Sequence, residues 1–230
     1  LCSAFFCWGK FDFTHFKKKF KKNVFYMTGS PRVDLWKTKF NYLWKSKSQE
    51  KKYFLFVSNF SFPNNYYSFK DIVKRKKDEN YYKRSPNLLG EEIKYYNYQK
   101  ASMIKFTKLI KNFSKKFPNE IIYLRPHPTE KIDYWNKHLN NLKNVFIKPE
   151  GELSTYIRGA ECVIQDGCSS GIESYISNIP VINYLSVKSN KHSFGQFIKK
   201  FAINIFNERS FFKIIEHKKY KIHRNKKNTV

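Results

Sequence analysis

The sequence predicts an α/β fold in which a parallel β-sheet carries helices on both faces. Three observations indicate this class. Short apolar runs alternate with helical periodicity from Ile121 to Tyr184, and the connections between them are short. Small or turn-forming residues follow the apolar runs, as at 167–171. Strands that alternate with helices over short connections are typical of parallel sheets.

The first half of the chain is less regular. Strands are predicted over 23–28 and 53–58, and a helix is expected after the first strand because Pro31 suits an initial helical position. Residues 64–90 have no clear period and are expected to hold at most one short helix. The strongest helix prediction covers 91–117, where apolar residues recur every three or four positions.

The second half repeats strand and helix in turn. Its strands are predicted over 121–124, 144–148, 162–165 and 181–184, and its helices after residue 129 or 130, over 153–158, from Ser170, near 194–201 and near 210–217.

The chain of 230 residues is long enough to bury a core. It begins without methionine, and an upstream portion is expected. We expect 1–22 to be a remnant of a preceding domain or a linker. The α/β domain is expected over 23–206, and a helix with a basic tail over 207–230.

The formal charge of +27 suggests a polyanionic partner. However, lysines occur in almost every segment, and Asn, Ile, Phe and Tyr are also abundant, as in proteins from AT-rich genomes. We therefore interpret the charge as a solvated excess and expect no nucleic-acid partner, with a nucleic-acid-binding module kept as an alternative. The charge could also support contact with an anionic membrane surface.

The cellular location of the protein is predicted from its apolar runs and its cysteines. No apolar run approaches the ~20 residues that a membrane span needs. The cysteines lack zinc-ligand spacing and are interpreted as reduced thiols. These features favour a cytoplasmic protein, with peripheral contact at the inner membrane as an option.

Residues 167–171 form a small-residue turn between an apolar strand and a helix. Gly167 and Gly171 allow a close backbone approach, and the hydroxyls of Ser169 and Ser170 can donate to phosphate oxygens. The alternative is a capped turn without a ligand, in which Ser170 and Glu173 form a Ser-x-x-Glu capping box.

A second candidate site follows the strand at 121–124. Arg125 supplies a planar, permanently charged fork for phosphate, and His127 lies between two prolines. An imidazole there could donate to a departing phosphate, and a turn histidine paired with Glu130 is the alternative. Ligands of open parallel sheets bind beyond the carboxyl ends of the strands, so the two loops are expected to hold one anionic group.

Five segments together resemble a known group of proteins: Thr28–Asp34, Ser58–Ser61, Arg125–Glu130, Asp166–Glu173 and Ile179–Tyr184. In this order they are similar to bacterial surface carbohydrate biosynthesis proteins. Those belong with two-domain GT-B transferases such as capsule Kdo transferases, polysialyltransferases and CDP-glycerol glycerophosphotransferases.

The resemblance implies that the chain is mainly the Rossmann-like, C-terminal donor-binding half of a GT-B architecture. It implies that His127, Ser169 and Ser170 contact the donor phosphate, that Glu173 lies on the ribose side, and that Gly29, Ser30 and Arg32 form the interdomain seam. The general base of this group usually lies in the N-terminal domain, so the chain alone is expected to be inactive or incomplete.

The expected function is that of a glycosyltransferase, with a CMP- or UDP-linked sugar as donor and a glycan or glycolipid as acceptor. No metal and no cofactor is expected, because positive groups already face the phosphate. A CDP-glycerol or CDP-ribitol polyol-phosphate transferase and a non-catalytic nucleotide-binding subunit stay open as alternatives.

Overall fold

The computed structural model describes residues 3–43, 52–84, 86–189 and 198–221. Within these ranges the chain divides into two compact units, Leu1–Trp44 and Lys45–Val230.

The first unit contains a small parallel sheet. Strand β1 pairs in register with β2, and helix α1 connects them. Pro31 lies in the first turn of α2, as predicted, and the Ser30 hydroxyl accepts a hydrogen bond from Val33 N–H at this helix start. The elements are β1 (Ala4–Cys7), α1 (Lys10–Lys19), β2 (Val24–Met27), α2 (Pro31–Leu35) and a 3-10 segment over Thr38–Leu43.

This division differs from the expected boundary after residue 22. Val24–Met27 pairs with Ala4–Cys7 and therefore belongs to the small sheet. The sequence signal at 23–28 identified a strand but carried no information about its partner.

The second unit is the predicted α/β domain. Its elements are β3 (Tyr53–Val57), α3 (Phe69–Asp78), α4 (Leu88–Lys116), β4 (Ile121–Arg125), α5 (Ile132–Leu139), β5 (Val145–Ile147), α6 (Leu153–Gly159), β6 (Ala160–Gln165), α7 (Ser170–Ile176), β7 (Val181–Tyr184), β8 (Ile203–Ile205) and α8 (Glu208–Glu216), with 3-10 segments at Tyr81–Arg84, Ile198–Lys200 and Lys219–Lys221.

Six parallel strands form the main sheet in the order β5-β4-β3-β6-β7-β8. The chain starts at the centre with β3, builds outward to β5, and then returns to the other side of β3 with β6. This is the doubly wound order of the Rossmann fold. The predicted fold class is confirmed.

The core lies on both faces of this sheet. All five residues of β3 are buried, and successive side chains point to opposite faces. Phe54 and Phe56 contact Phe113 of α4, whereas the Tyr53 hydroxyl donates to the Tyr156 carbonyl of α6 at 2.7 Å. Helices therefore cover both faces.

In the last third the structure contains one strand that was not predicted, and one predicted helix lies mostly outside the described residues. Strand β8 was not predicted, because its three residues are too short to give a period. The helix predicted near 194–201 falls mostly outside the described residues, and Ile198–Lys200 forms a 3-10 segment.

Candidate active site at the carboxyl edge of the sheet

Both predicted loops begin at the same edge of the sheet, on either side of β3. In the strand register, Val57 pairs with Arg125 on one side and with Gln165 on the other. Adjacent strands lie ~4.8 Å apart, so the two loops start about 10 Å from each other. The chain reverses its direction of winding between β3 and β6, and such switch points are where open α/β sheets bind ligands.

A buried carboxylate joins the loops that follow β3 and β4. Glu130 is 1% exposed. It accepts hydrogen bonds from Phe60 N–H at 2.8 Å, from Trp135 Nε1–H at 2.8 Å and from the Ser58 hydroxyl at 3.0 Å. Burial raises the pKa of Glu130, and these hydrogen bonds oppose the increase.

Glu130 also receives the His127 backbone N–H at 3.3 Å. The alternative in which its carboxylate pairs with the imidazole is therefore wrong. Glu130 instead determines the path of the backbone at His127 and leaves the ring available.

The His127 ring is oriented by the residue two positions later. Its Nδ1 lies 2.8 Å from the Thr129 hydroxyl oxygen and accepts the Thr129 backbone N–H at 3.3 Å. Because a backbone N–H can only donate, Nδ1 of the neutral ring acts as an acceptor and the proton lies on Nε2. The half-buried ring can therefore offer an Nε2–H donor.

Arg125 is directed toward the loop after β5. Its Nη1 donates to the Lys148 carbonyl at 2.8 Å and its Nη2 to the Gly151 carbonyl at 2.7 Å. The guanidinium also lies over the Tyr156 ring, 5.6 Å from the ring centroid. These contacts stabilise the 148–151 loop, so Arg125 supplies a buried positive charge with two donor groups already engaged.

The turn after β6 is held by amides of the neighbouring strand. Gly167 adopts a φ of 69°, in the left-handed region that favours glycine. Its N–H donates at 2.8 Å to Oδ1 of Asn183, which is fully buried at the end of β7. Cys168 N–H donates to the Gln165 side-chain oxygen. Side chains of β6 and β7 therefore hold the backbone of this turn in place.

The capping-box prediction at the start of α7 is wrong. The N-cap residue is Ser169, whose side chain makes no capping hydrogen bond. Ser169 is exposed, whereas the Ser170 hydroxyl is buried and makes no hydrogen bond within the described residues. Gly171 N–H donates to the Cys168 carbonyl at 3.1 Å, and Glu173 is buried within the helix.

Asp166 is a component of this edge that the sequence did not identify as functional. The half-buried carboxyl accepts from Ser102 of α4 and lies near Tyr95 and Tyr98. Desolvation raises the pKa of Asp166 to about 7. In the sequence, the only sign of a function for Asp166 is its position between a strand end and a turn. Its neighbours on α4 could not be recognised because they lie 64 or more positions earlier in the chain.

The structure therefore brings most of the predicted site to one edge of the second unit. His127, Gly167, Ser169, Ser170 and Gly171 flank the end of β3, and Arg125 lies beside them with its guanidinium turned to the 148–151 loop. Gly29, Ser30 and Arg32 lie in the first unit, at the start of α2, where Gly29 has a φ of 75°. Their role at an interdomain seam stays a prediction.

No family model and no curated protein sequence matches this chain. Its structure resembles solved GT-B-type structures. The wall teichoic acid polymerase TagF superposes with a TM-score of 0.55 at 13% identity, over 97% of this chain and 51% of that chain.

Two UDP-GlcNAc 2-epimerases are also similar. The enzyme from Methanocaldococcus jannaschii matches with a TM-score of 0.50 at 16% identity, over 93% of this chain and 54% of that one. The Neisseria meningitidis enzyme, solved with UDP-GlcNAc bound, matches with a TM-score of 0.50 at 11% identity, over 97% and 55%. The chain thus spans about half the length of these enzymes, and at these identities the likeness defines the fold alone.

Two further properties belong to the described part of the chain. None of its helices combines the length and apolar character required to cross a bilayer. It also contains no group of three or more His, Cys, Asp and Glu side chains arranged to hold a metal ion.

Proposed function

We propose that this chain is the donor-binding half of a GT-B transferase that uses a nucleotide-activated sugar in the synthesis of a bacterial surface polysaccharide. One observation carries the proposal. His127 and the 167–171 turn lie on the two sides of the central strand at the switch point of a Rossmann-ordered sheet. The two loops start about 10 Å apart, at the place where open α/β sheets bind nucleotide-type ligands.

The chemistry required of this site is stabilisation of charge on the departing phosphate. When the bond between the sugar carbon and the phosphate oxygen breaks, the electron pair stays on the phosphate. The acceptor oxygen forms the new bond and releases its proton. Donors placed toward the departing oxygen lower the barrier because they act where charge develops.

In this mechanism His127 donates from Nε2 to a departing oxygen, because Thr129 keeps Nδ1 as the acceptor. The exposed Ser169 hydroxyl binds a remaining phosphate oxygen, and Gly167, whose N–H is engaged by Asn183, shapes the turn that presents this hydroxyl. The Ser170 hydroxyl is buried and makes no hydrogen bond within the described residues. Because a buried hydroxyl normally has a hydrogen-bond partner, this supports phosphate binding at the 167–171 turn.

Three further roles complete the proposal. Arg125 contributes positive charge and holds the 148–151 loop, and Glu173 serves the ribose side. Gly29, Ser30 and Arg32 face a second domain that supplies the acceptor site and the general base. The reaction would take place in the cytoplasm, on a glycan or glycolipid acceptor.

Titration with CMP, CDP and UDP by calorimetry tests the proposal. We expect saturable binding of at least one nucleotide, and an absence of binding by a folded protein would refute it. His127→Ala should abolish or strongly weaken binding and leave thermal stability nearly unchanged. The matched control is His217→Ala, which removes an exposed imidazole at the end of α8.

A polyol-phosphate transferase would give the same nucleotide result with CDP. Analysis of the product of the complete enzyme separates the two functions, because that reaction forms a phosphodiester and a glycosyltransferase forms a glycosidic bond. Steeply salt-dependent binding of DNA or RNA without nucleotide binding would favour the nucleic-acid alternative.

A further inference from the structure

A groove of about 530 Å³ runs along the outer face of α4, between this helix and α5. Four lysines contribute to its lining, and no acidic residue is among the described residues that line it. They are Lys100, Lys108, Lys111 and Lys115. At 1.5 Å per residue they extend over about 22 Å of helix. The groove is therefore long and positively charged.

The lining also has an apolar part and fixed polar groups. Met103 is buried and Ile104 is 54% exposed on the same helix. On the α5 side the Tyr134 hydroxyl lies 3.1 Å from the Thr107 hydroxyl, and the rings of Tyr134 and His138 lie 4.5 Å apart. Cations along an apolar floor suit an anionic group attached to a less polar chain.

The four ammonium groups repel one another, and a bound anion would relieve that repulsion. Lys111 is half-buried and Lys108 lies one helical turn before it. Two ammonium groups at this spacing can both donate to one phosphate, and such charge-assisted hydrogen bonds are about twice as strong as neutral ones.

We propose that this groove binds phosphate esters, with Lys108 and Lys111 as the principal contacts and His138 in the wall. The site is separate from the proposed donor site and does not depend on the proposed function. The phosphate could belong to a lipid head group at an anionic membrane or to a soluble phosphate.

His138 provides a local reporter of binding. Burial lowers its pKa first, and the positive charges of Lys111 and Lys137 lower it further. The Tyr134 ring packs against the His138 ring from the same helix, with the two ring planes at 56°. Glu208 of α8 contacts the lining, where it accepts a hydrogen bond from Asn112 Nδ2 at 2.6 Å. A phosphate bound beside Lys111 would offset the cations and raise the pKa of His138.

The test is an NMR titration of the histidine rings at constant ionic strength. Inorganic pyrophosphate is one probe, and vesicles of phosphatidylglycerol or phosphatidylcholine are the other. We expect a rise of about half a pKa unit or more at His138 with a phosphate probe. His127 reports the proposed donor site separately in the same spectra. A response to pyrophosphate identifies a soluble phosphate source, and one to phosphatidylglycerol vesicles alone identifies a lipid head group.

The double variant Lys108→Gln/Lys111→Gln should weaken binding about tenfold or more. Its charge-matched control is Lys74→Gln/Lys77→Gln, which removes two exposed lysines at the same spacing on α3 and should change binding less than about twofold. Equal losses in both double variants would overturn the proposal, since they would indicate a diffuse charge effect. An unchanged His138 with pyrophosphate and with phosphatidylglycerol would also overturn it.

Discussion

Replacing Glu130 with glutamine should destabilise the domain and weaken nucleotide binding at the same time. In the native protein one carboxylate oxygen accepts from Phe60 N–H and His127 N–H, and the other accepts from Trp135 Nε1–H. The Ser58 hydroxyl reaches both oxygens at 3.0 Å. A glutamine has only one acceptor oxygen to serve these donors.

The size of the expected loss of stability depends on which hydrogen bond of Glu130 is lost. Glutamine keeps most contacts by placing its oxygen toward Phe60, which turns its NH2 group toward the Trp135 N–H. One buried donor without an acceptor costs about 1–3 kcal/mol, and the remaining hydrogen bonds lose the assistance of the charge. We expect a loss of about 2–4 kcal/mol, which is a large part of a typical domain stability of about 5–15 kcal/mol.

Urea denaturation of Glu130→Gln measures this loss, and calorimetry measures the affinity for the nucleotide that the native protein binds. The control is Glu79→Gln, an exposed carboxylate paired with Arg75 at 3.9 Å, which should change stability by less than about 0.5 kcal/mol. A Glu130→Gln variant as stable as the native protein would refute the reasoning, because it would mean that the buried group is a neutral acid that an amide replaces without loss.

Three other changes test the surrounding structure. Asn183→Leu removes the acceptor for Gly167 N–H and should cost about 2 kcal/mol in urea denaturation while weakening nucleotide binding. Because the pKa of Asp166 is raised to about 7, the folded protein retains a proton that the unfolded chain releases near pH 4, so this group's stabilising contribution falls as the pH rises through 7. Asp166→Asn should remove this loss of stability at higher pH. An equal pH dependence of the free energy of unfolding in the two proteins between pH 5 and 8 would contradict the prediction. Gly159→Ala places a Cβ 2.6 Å from the Tyr53 hydroxyl oxygen and should lower the free energy of unfolding by about 1–3 kcal/mol. An unchanged midpoint of urea denaturation would contradict this prediction.

The sequence predicted the sheet better than the arrangement of the first unit. Apolar runs such as Cys162–Gln165 define buried parallel strands wherever they occur, because both faces of the sheet are covered. The pairing of Val24–Met27 depends on a distant partner strand, so periodicity could not assign it to the small sheet.

The position of the two candidate loops at one edge of the sheet was predicted, and their hydrogen bonds were predicted less well. Strand ends of a parallel sheet share one edge, so the loops at His127 and Gly167 could be placed together from the sequence. The direction of a side chain depends on residues that the sequence does not mark as neighbours. Arg125 is directed to the Lys148 and Gly151 carbonyls, and Ser169 rather than Ser170 begins α7.

The central position of β3 has a consequence for synthesis. This strand is made of five buried residues and is synthesised before the other five strands of the main sheet, but it pairs with β4 and with β6. Ribosomes add about 5–20 residues per second, so the second partner arrives roughly 5–20 seconds after β3 itself. During that interval Tyr53–Val57 is an aromatic segment with an open edge, which is the kind of segment that chaperones bind, and slower translation of the following hundred or so residues would prolong its exposure.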